Sequence, residues 1–201
     1  MNVAVESKYY RVYNKILFLQ SIVGDIFELG EEYGVRLQSE TKQLFGDFEI
    51  ISLEEFDDTK QMEGYIRKWK CQIEHQYAYS ITKLMECKPE LKEALLSIFI
   101  KSGVNLAITL KEHYLTAPGI YKNLQDYMPT VNLDGSYNEI VMESDREVIW
   151  TVTASSTSCL EEIGGSDELY YELSEGWMGG FVRELGYQFD SLVAGTYRIY
   201  L

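Results

Sequence analysis

Between Thr59 and Glu86, the residues Met62, Ile66, Trp69, Ile73, Tyr77, Ile81 and Met85 return every three or four positions. That spacing lines one face of an α-helix, whereas a strand alternates its faces at every second residue. The face so defined has to be covered by other elements, and this conditions how the flanking segments are read.

Tyr9 to about Leu44 reads as one long or broken helix, with Tyr13, Ile16, Leu17, Val23, Phe27 and Leu37 near helical spacing. Gly30 and Gly34 share a face if the helix runs through them. Equally, they mark a break, since each costs about 1 kcal/mol relative to alanine. Gly46 to Asp58 is acidic and irregular, carrying Asp47, Glu49, Glu54, Glu55, Asp57 and Asp58. It lacks the alternating Asp/Asn positions and glycine of a calcium loop, so a solvated loop is expected. Pro89 suits the first turn of a further helix reaching about Tyr114. Along it Ser102, Asn105 and Thr109 form a polar stripe that faces water or lines a pocket. Pro118-Gly119 is expected to end the helical half.

The pattern changes near Met128. Glu139–Met142 and Val148–Thr153 read as a hairpin around Ser144-Asp145-Arg146. Ser166-Asp167 signals the start of a helix running to about Leu185, with Gly186 as its C-terminal stop. Tyr187–Val193 and Thr196–Leu201 read as two strands around Ala194-Gly195. The expected fold is α+β: a helical N-terminal half packed on an antiparallel sheet, with a β–β–α–β–β C-terminal half. With no repeat or linker visible, residues 1–201 read as one domain, mainly helical over 1–127 and mixed over 128–201.

The formal net charge is -14. It argues against nucleic acid, which demands clustered Lys and Arg, and against an anionic membrane surface. It fits solubility or a basic protein partner. No basic leader precedes Ser7, and no run approaching about 20 apolar residues is evident, so no membrane span is expected. Cys71, Cys87 and Cys159 have no paired metal spacing, and their odd number suits reduced thiols in a cytoplasm. The chain has 16 Tyr against 8 Phe, a balance that suits a pocket, an interface or a core whose rings reach the surface.

Cys159 follows the small polar run Ala154-Ser155-Ser156-Thr157-Ser158 at the end of a predicted strand. It is the leading candidate nucleophile, activated if a helix N-terminus or a cation lies near it, and otherwise a small buried residue. His75 and His113 are the only candidate histidine bases. Gly176, Gly179 and Gly180 are unusual inside a helix and point to close packing on a sheet or to a ligand near the backbone. There is no P-loop, dinucleotide fingerprint, nucleophile elbow or zinc motif, and neither a cofactor nor a metal is expected.

A strand, Cys159, a glycine-bearing helix and a hairpin with Leu192-Val193-Ala194-Gly195 before the last strand together resemble the L-2-amino-thiazoline-4-carboxylic acid hydrolase family. The layout is also similar to the vinyl-4-reductase-type small-molecule-binding domain, whose fold is shared with TRAPP transport-complex subunits. Where those hydrolases carry a second cysteine, this chain has Leu173-Ser174-Glu175-Gly176, and its last strand reads Thr196-Tyr197-Arg198-Ile199. The resemblance implies a pocket between helices and sheet. As a hydrolase, the protein would attack a small cyclic amidine or thiazoline carboxylate through Cys159, with His75 or His113 as base. Ser174 and Glu175 would be pocket polar groups, and Arg183 or Arg198 the carboxylate anchor. As a non-catalytic sensor or carrier, it would hold a small-molecule ligand between Trp150, Tyr170, Tyr171 and Trp177. A homodimer is compatible with either, and an acidic inhibitor or immunity-type protein is a further reading.

Overall fold

The first helix, α1 (Ser7–Glu32), stops where the chain reaches Gly34, whose φ of 79° belongs to the left-handed region. The chain then folds back so that Val35 N–H donates to Gly30 O at 2.8 Å. A Cβ on Gly30 would lie 2.8 Å from Leu37 Cδ1. The two glycines therefore make a corner and do not share a helix face. The structure, a computed structural model, describes residues 7–110, 116–128, 138–152, 162–193 and 195–201.

Helix α2 (Leu37–Phe45) leads into the acidic segment, which holds a 3-10 turn at Leu53–Glu55 capped by Ser52. Helix α3 (Thr59–Cys87) begins at an Asp58 cap and buries Met62, Ile66, Trp69, Ile73, Tyr77 and Ile81, the row expected from spacing. It also fastens the acidic segment. Trp69 Nε1 donates to Glu49 O at 2.8 Å, and Gln72 Nε2 reaches the carbonyls of Phe45, Gly46 and Asp47.

After a 3-10 turn at Pro89–Leu91 comes α4 (Lys92–Leu110), which buries Leu95, Phe99, Gly103 and Ala107. Asn105 and Thr109 on its polar stripe are exposed, with Ser102 half-buried. By length and composition Pro89–Leu110 is apolar enough to cross a membrane, with a mean hydropathy of 1.4, a run that sequence inspection did not anticipate. Pro118-Gly119 does not end the helical half. It opens a fifth helix, α5 (Ala117–Tyr127), because Thr116 caps it by accepting from Gly119 N–H, and proline is tolerated in a first turn.

Strands β1 (Asn138–Ser144) and β2 (Glu147–Val152) form the first hairpin, and β3 (Gln188–Val193) and β4 (Thr196–Tyr200) the second. Between them lies α6 (Asp167–Glu184), capped by Ser166 and ended by Gly186 at φ 85°. The sheet is antiparallel, in the order β1-β2-β4-β3. Paired residues share a face, so Trp150 opposite Tyr197 and Val148 opposite Ile199 line the inner one with Phe189. Tyr121 of α5 and the Gly179 position of α6 meet that face, at Trp150 and Phe189 respectively. This is the α+β architecture expected from the sequence.

The glycines of α6 face mainly α4, not the sheet. A Cβ on Gly180 would lie 2.5 Å from Ile100 O, and one on Gly176 2.6 Å from Leu96 Cδ1. From the other side, a Cβ on Gly103 would lie 2.2 Å from Trp177 O. The two backbones are closer than any side chain at these positions allows.

Candidate functional site

Tyr170, Ser174, Trp177 and Phe181 recur at helical spacing and so share one side of α6. On that side α6 reaches α1 and α3 through rings. Trp177 packs edge-on to Phe18 of α1 at 5.8 Å and stacks on Phe181 at 5.6 Å. Tyr170 meets Tyr77 of α3 edge-on at 6.3 Å, and Tyr77 lies 6.0 Å from Phe99. The rings have the offset and tilted arrangements that aromatic quadrupoles favour.

This seam contains buried polar atoms that no described residue satisfies. Tyr77 OH, Ser174 Oγ and Trp177 Nε1 are buried and have no hydrogen-bond partner among the described residues. Trp150 Nε1, in the sheet layer beneath Tyr121 and Tyr197, is in the same condition. An orphaned buried donor costs about 1–3 kcal/mol, and native interiors hold few of them. Indole N–H donates only, while the hydroxyls donate and accept. Burial and the nearby Tyr170 push the Tyr77 phenol well above its ordinary pKa of 10.0, so it stays a neutral donor at physiological pH. The arrangement is an aromatic interior that presents neutral hydrogen-bond donors.

Glu175 and Arg183 look the other way, into an open groove of about 400 Å³ with Leu96, Ile100, Asp190 and Ser191. Ser191 Oγ donates to Glu175 at 2.8 Å, and Arg183 Nη2 donates to Phe189 O at 3.4 Å. The Tyr197 phenol, buried and bonded to Glu175, has its pKa raised. Tyr171 is half-buried, its ring 6.2 Å from that of Tyr170. Arg198 binds Glu147 and lies 4.3 Å over the Tyr200 ring.

His75 stands apart, on α3. Its Nδ1 lies 2.7 Å from Cys71 O and 3.6 Å from Cys71 Sγ, and its Nε2 lies 3.4 Å from Glu162 Oε2. Cys71 and Cys87 are exposed free thiols. Cys159 and His113 lie outside the described residues. Among the described residues no group of His, Cys, Asp and Glu is arranged to hold a metal ion.

The residues singled out from sequence thus fall into separate places: Ser174 and Trp177 in the seam, Trp150 in the sheet layer, Glu175 and Arg183 in the groove, His75 on α3. Two participants escaped sequence reasoning. Tyr77 sat unremarked in an apolar row, where its hydroxyl was the available signal. Cys71 lies four residues before His75, a spacing that puts both on one helix face. Comparison of the chain with protein-family models, curated proteins and solved structures returns no match.

Proposed function

We propose that this protein is a non-catalytic small-molecule-binding module, a sensor or carrier of the vinyl-4-reductase type. The observation that carries this reading is the set of buried, unbonded donors Tyr77, Ser174 and Trp177 on one aromatic seam. A ligand with an apolar or aromatic body and hydrogen-bond acceptors would satisfy them and recover the cost of burying them dry. The three groups are neutral, which favours an uncharged acceptor such as a ketone over a carboxylate.

Native mass spectrometry of the protein purified from cells tests this. The expected result is a bound mass that disappears on denaturation. After solvent extraction, an aromatic ketone such as acetonaphthone should bind and shift tryptophan emission, and Ser174→Ala or Trp177→Phe should weaken it. A bare chain that also ignores the ketone ends the proposal.

A second reading has its own observation. Glu162, three positions after Cys159 in sequence, pairs with His75. This supports a cysteine-dependent hydrolase acting on a small cyclic amidine or thiazoline carboxylate, with Cys159 as nucleophile and His75 as base. Iodoacetamide labelling at neutral pH separates the two readings, since alkylation of Cys159 at the rate of a free model thiol removes the hydrolase.

A further inference from the structure

A cleft of about 570 Å³ lies between α1 and α2, closed on one side by the segment after α2 and floored by α3. It widens along α1 past Gly24 and Phe27. The volume falls within the range of small-molecule sites, about 300–1,000 Å³. It lies outside the α6 seam and shares none of the residues named there.

Its floor carries an unused amide. Gln76 of α3 is 5% exposed and lines the cleft. Its backbone carbonyl takes the Ser80 hydroxyl at 2.6 Å, but its carboxamide bonds to nothing among the described residues. Gln72, one turn earlier, spends its amide on three carbonyls. The Gln76 amide is not among the enclosed, unsatisfied atoms and so faces the open cleft, where it can exchange solvent for a ligand.

Gly24 supplies the second observation. It sits inside α1, where glycine costs about 1 kcal/mol relative to alanine. A Cβ there would meet nothing within 4 Å, in contrast to Gly30, Gly103, Gly176 and Gly180, each of which has a neighbour under 3 Å. Gly64 is as open, but it lies on the exposed face of α3. Packing does not require Gly24. The bare helix backbone there leaves room for a ligand to lie against it.

The lining selects the ligand. Among the described residues the cleft's one cation, Lys42, is held by Asp47 at 2.7 Å, and Glu31 adds a carboxylate, so the lining disfavours a phosphate or carboxylate. Gln20 and Gln38 add neutral amides, and Phe27 and Phe48 add rings. We propose that the cleft between α1 and α2 binds an uncharged planar heterocycle whose edge carries a hydrogen-bond donor beside an acceptor, read by the Gln76 carboxamide.

Ligand-observed NMR on the full chain tests this with adenine, uracil and nicotinamide as probes and adenosine monophosphate as the charged control. At least one neutral heterocycle should bind. Gly24→Leu should abolish binding by filling the cleft, with a melting temperature unchanged or higher. Gln76→Met should weaken binding at least tenfold, and Ser174→Ala should leave it intact. The proposal is overturned if no neutral probe binds at millimolar concentration, or if the monophosphate is preferred. It is equally overturned if binding survives Gly24→Leu, if it is lost in Ser174→Ala, or if Gly24→Leu lowers the melting temperature by several degrees.

Discussion

Helix α6 has two flanks built on opposite terms. Toward α4, reciprocal glycines bring backbone against backbone, with Gly103 under Trp177 O and Gly180 under Ile100 O. Toward α1 and α3, the gap is spanned by Trp177, Phe18, Tyr170 and Tyr77, and hydroxyl and indole groups are stranded among the rings. The first flank has no room at Gly103, Gly176 and Gly180, and among the described residues it holds none of the buried unsatisfied groups. The second has unfilled hydrogen-bonding capacity. The difference teaches where this fold is scaffold and where it is receptive: a glycine seam tolerates no insertion, whereas a ring seam with orphaned donors gains from one.

The comparison breaks most visibly at Gly103. Gly103→Ala drives a methyl into the Trp177 carbonyl, and overpacking against backbone is expected to cost about 3 kcal/mol, read as a lower urea midpoint. An unchanged midpoint would show that the α4 flank is looser than its geometry.

On the ring flank the largest effect is pH-dependent. Lys15 of α1, one turn before Phe18, is buried, and its pKa is lowered to about 8, chiefly by burial and partly restored by Asp126. Between about 8 and the ordinary 10.5 the unfolded chain holds more protons than the folded one, so stability rises with pH there. Above 10 the trend reverses, because Tyr77 and Tyr197 keep protons that the unfolded chain loses. Unfolding midpoints measured from pH 7 to 11 should therefore pass through a maximum. Lys15→Met should remove the rise, which is worth about 2 kcal/mol.

Ser166→Ala removes the cap of the helix that both flanks share. It should cost about 1 kcal/mol in thermal unfolding without altering ligand binding, and so serves as the control. The smallest effect sharpens the contrast most. Ser174→Ala deletes an orphaned hydroxyl and should be neutral or stabilising by a few tenths of a kcal/mol in the ligand-free protein, while weakening any ligand in the seam. A loss above about 1 kcal/mol in the ligand-free chain would mean that the hydroxyl already has a partner.

Much of the fold was legible because the signals that make its elements are local. The apolar row from Met62 to Ile81 specified α3, Ser166 and Gly186 bracketed α6, and alternating Val148, Trp150 and Val152 marked β2. Local signals also misled. Pro118-Gly119 reads as a stop until Thr116 is seen to cap a helix across it, and of the two readings open for Gly30 and Gly34, a shared face or a break, Gly34 decides for the break by turning the chain back. The candidate sites were less legible. Ser174 and Trp177 stood out as individual residues, but nothing in the sequence pairs Trp177 with Phe18 or Tyr170 with Tyr77.

What the sequence determined by itself, then, is periodicity, capping and turn chemistry, all of which act within a few residues along the chain. Tertiary structure alone decided which glycine is a contact and which is open. Gly24 and Gly103 are both helical glycines, yet one faces empty space and the other a carbonyl 2.2 Å from where its Cβ would be. It also decided which side-chain amides are spent, as at Gln72, and which face an open cleft with no partner among the described residues, as at Gln76. The reason is physical: satisfaction and close approach depend on atoms brought in from elements remote in sequence, and only packing sets those distances.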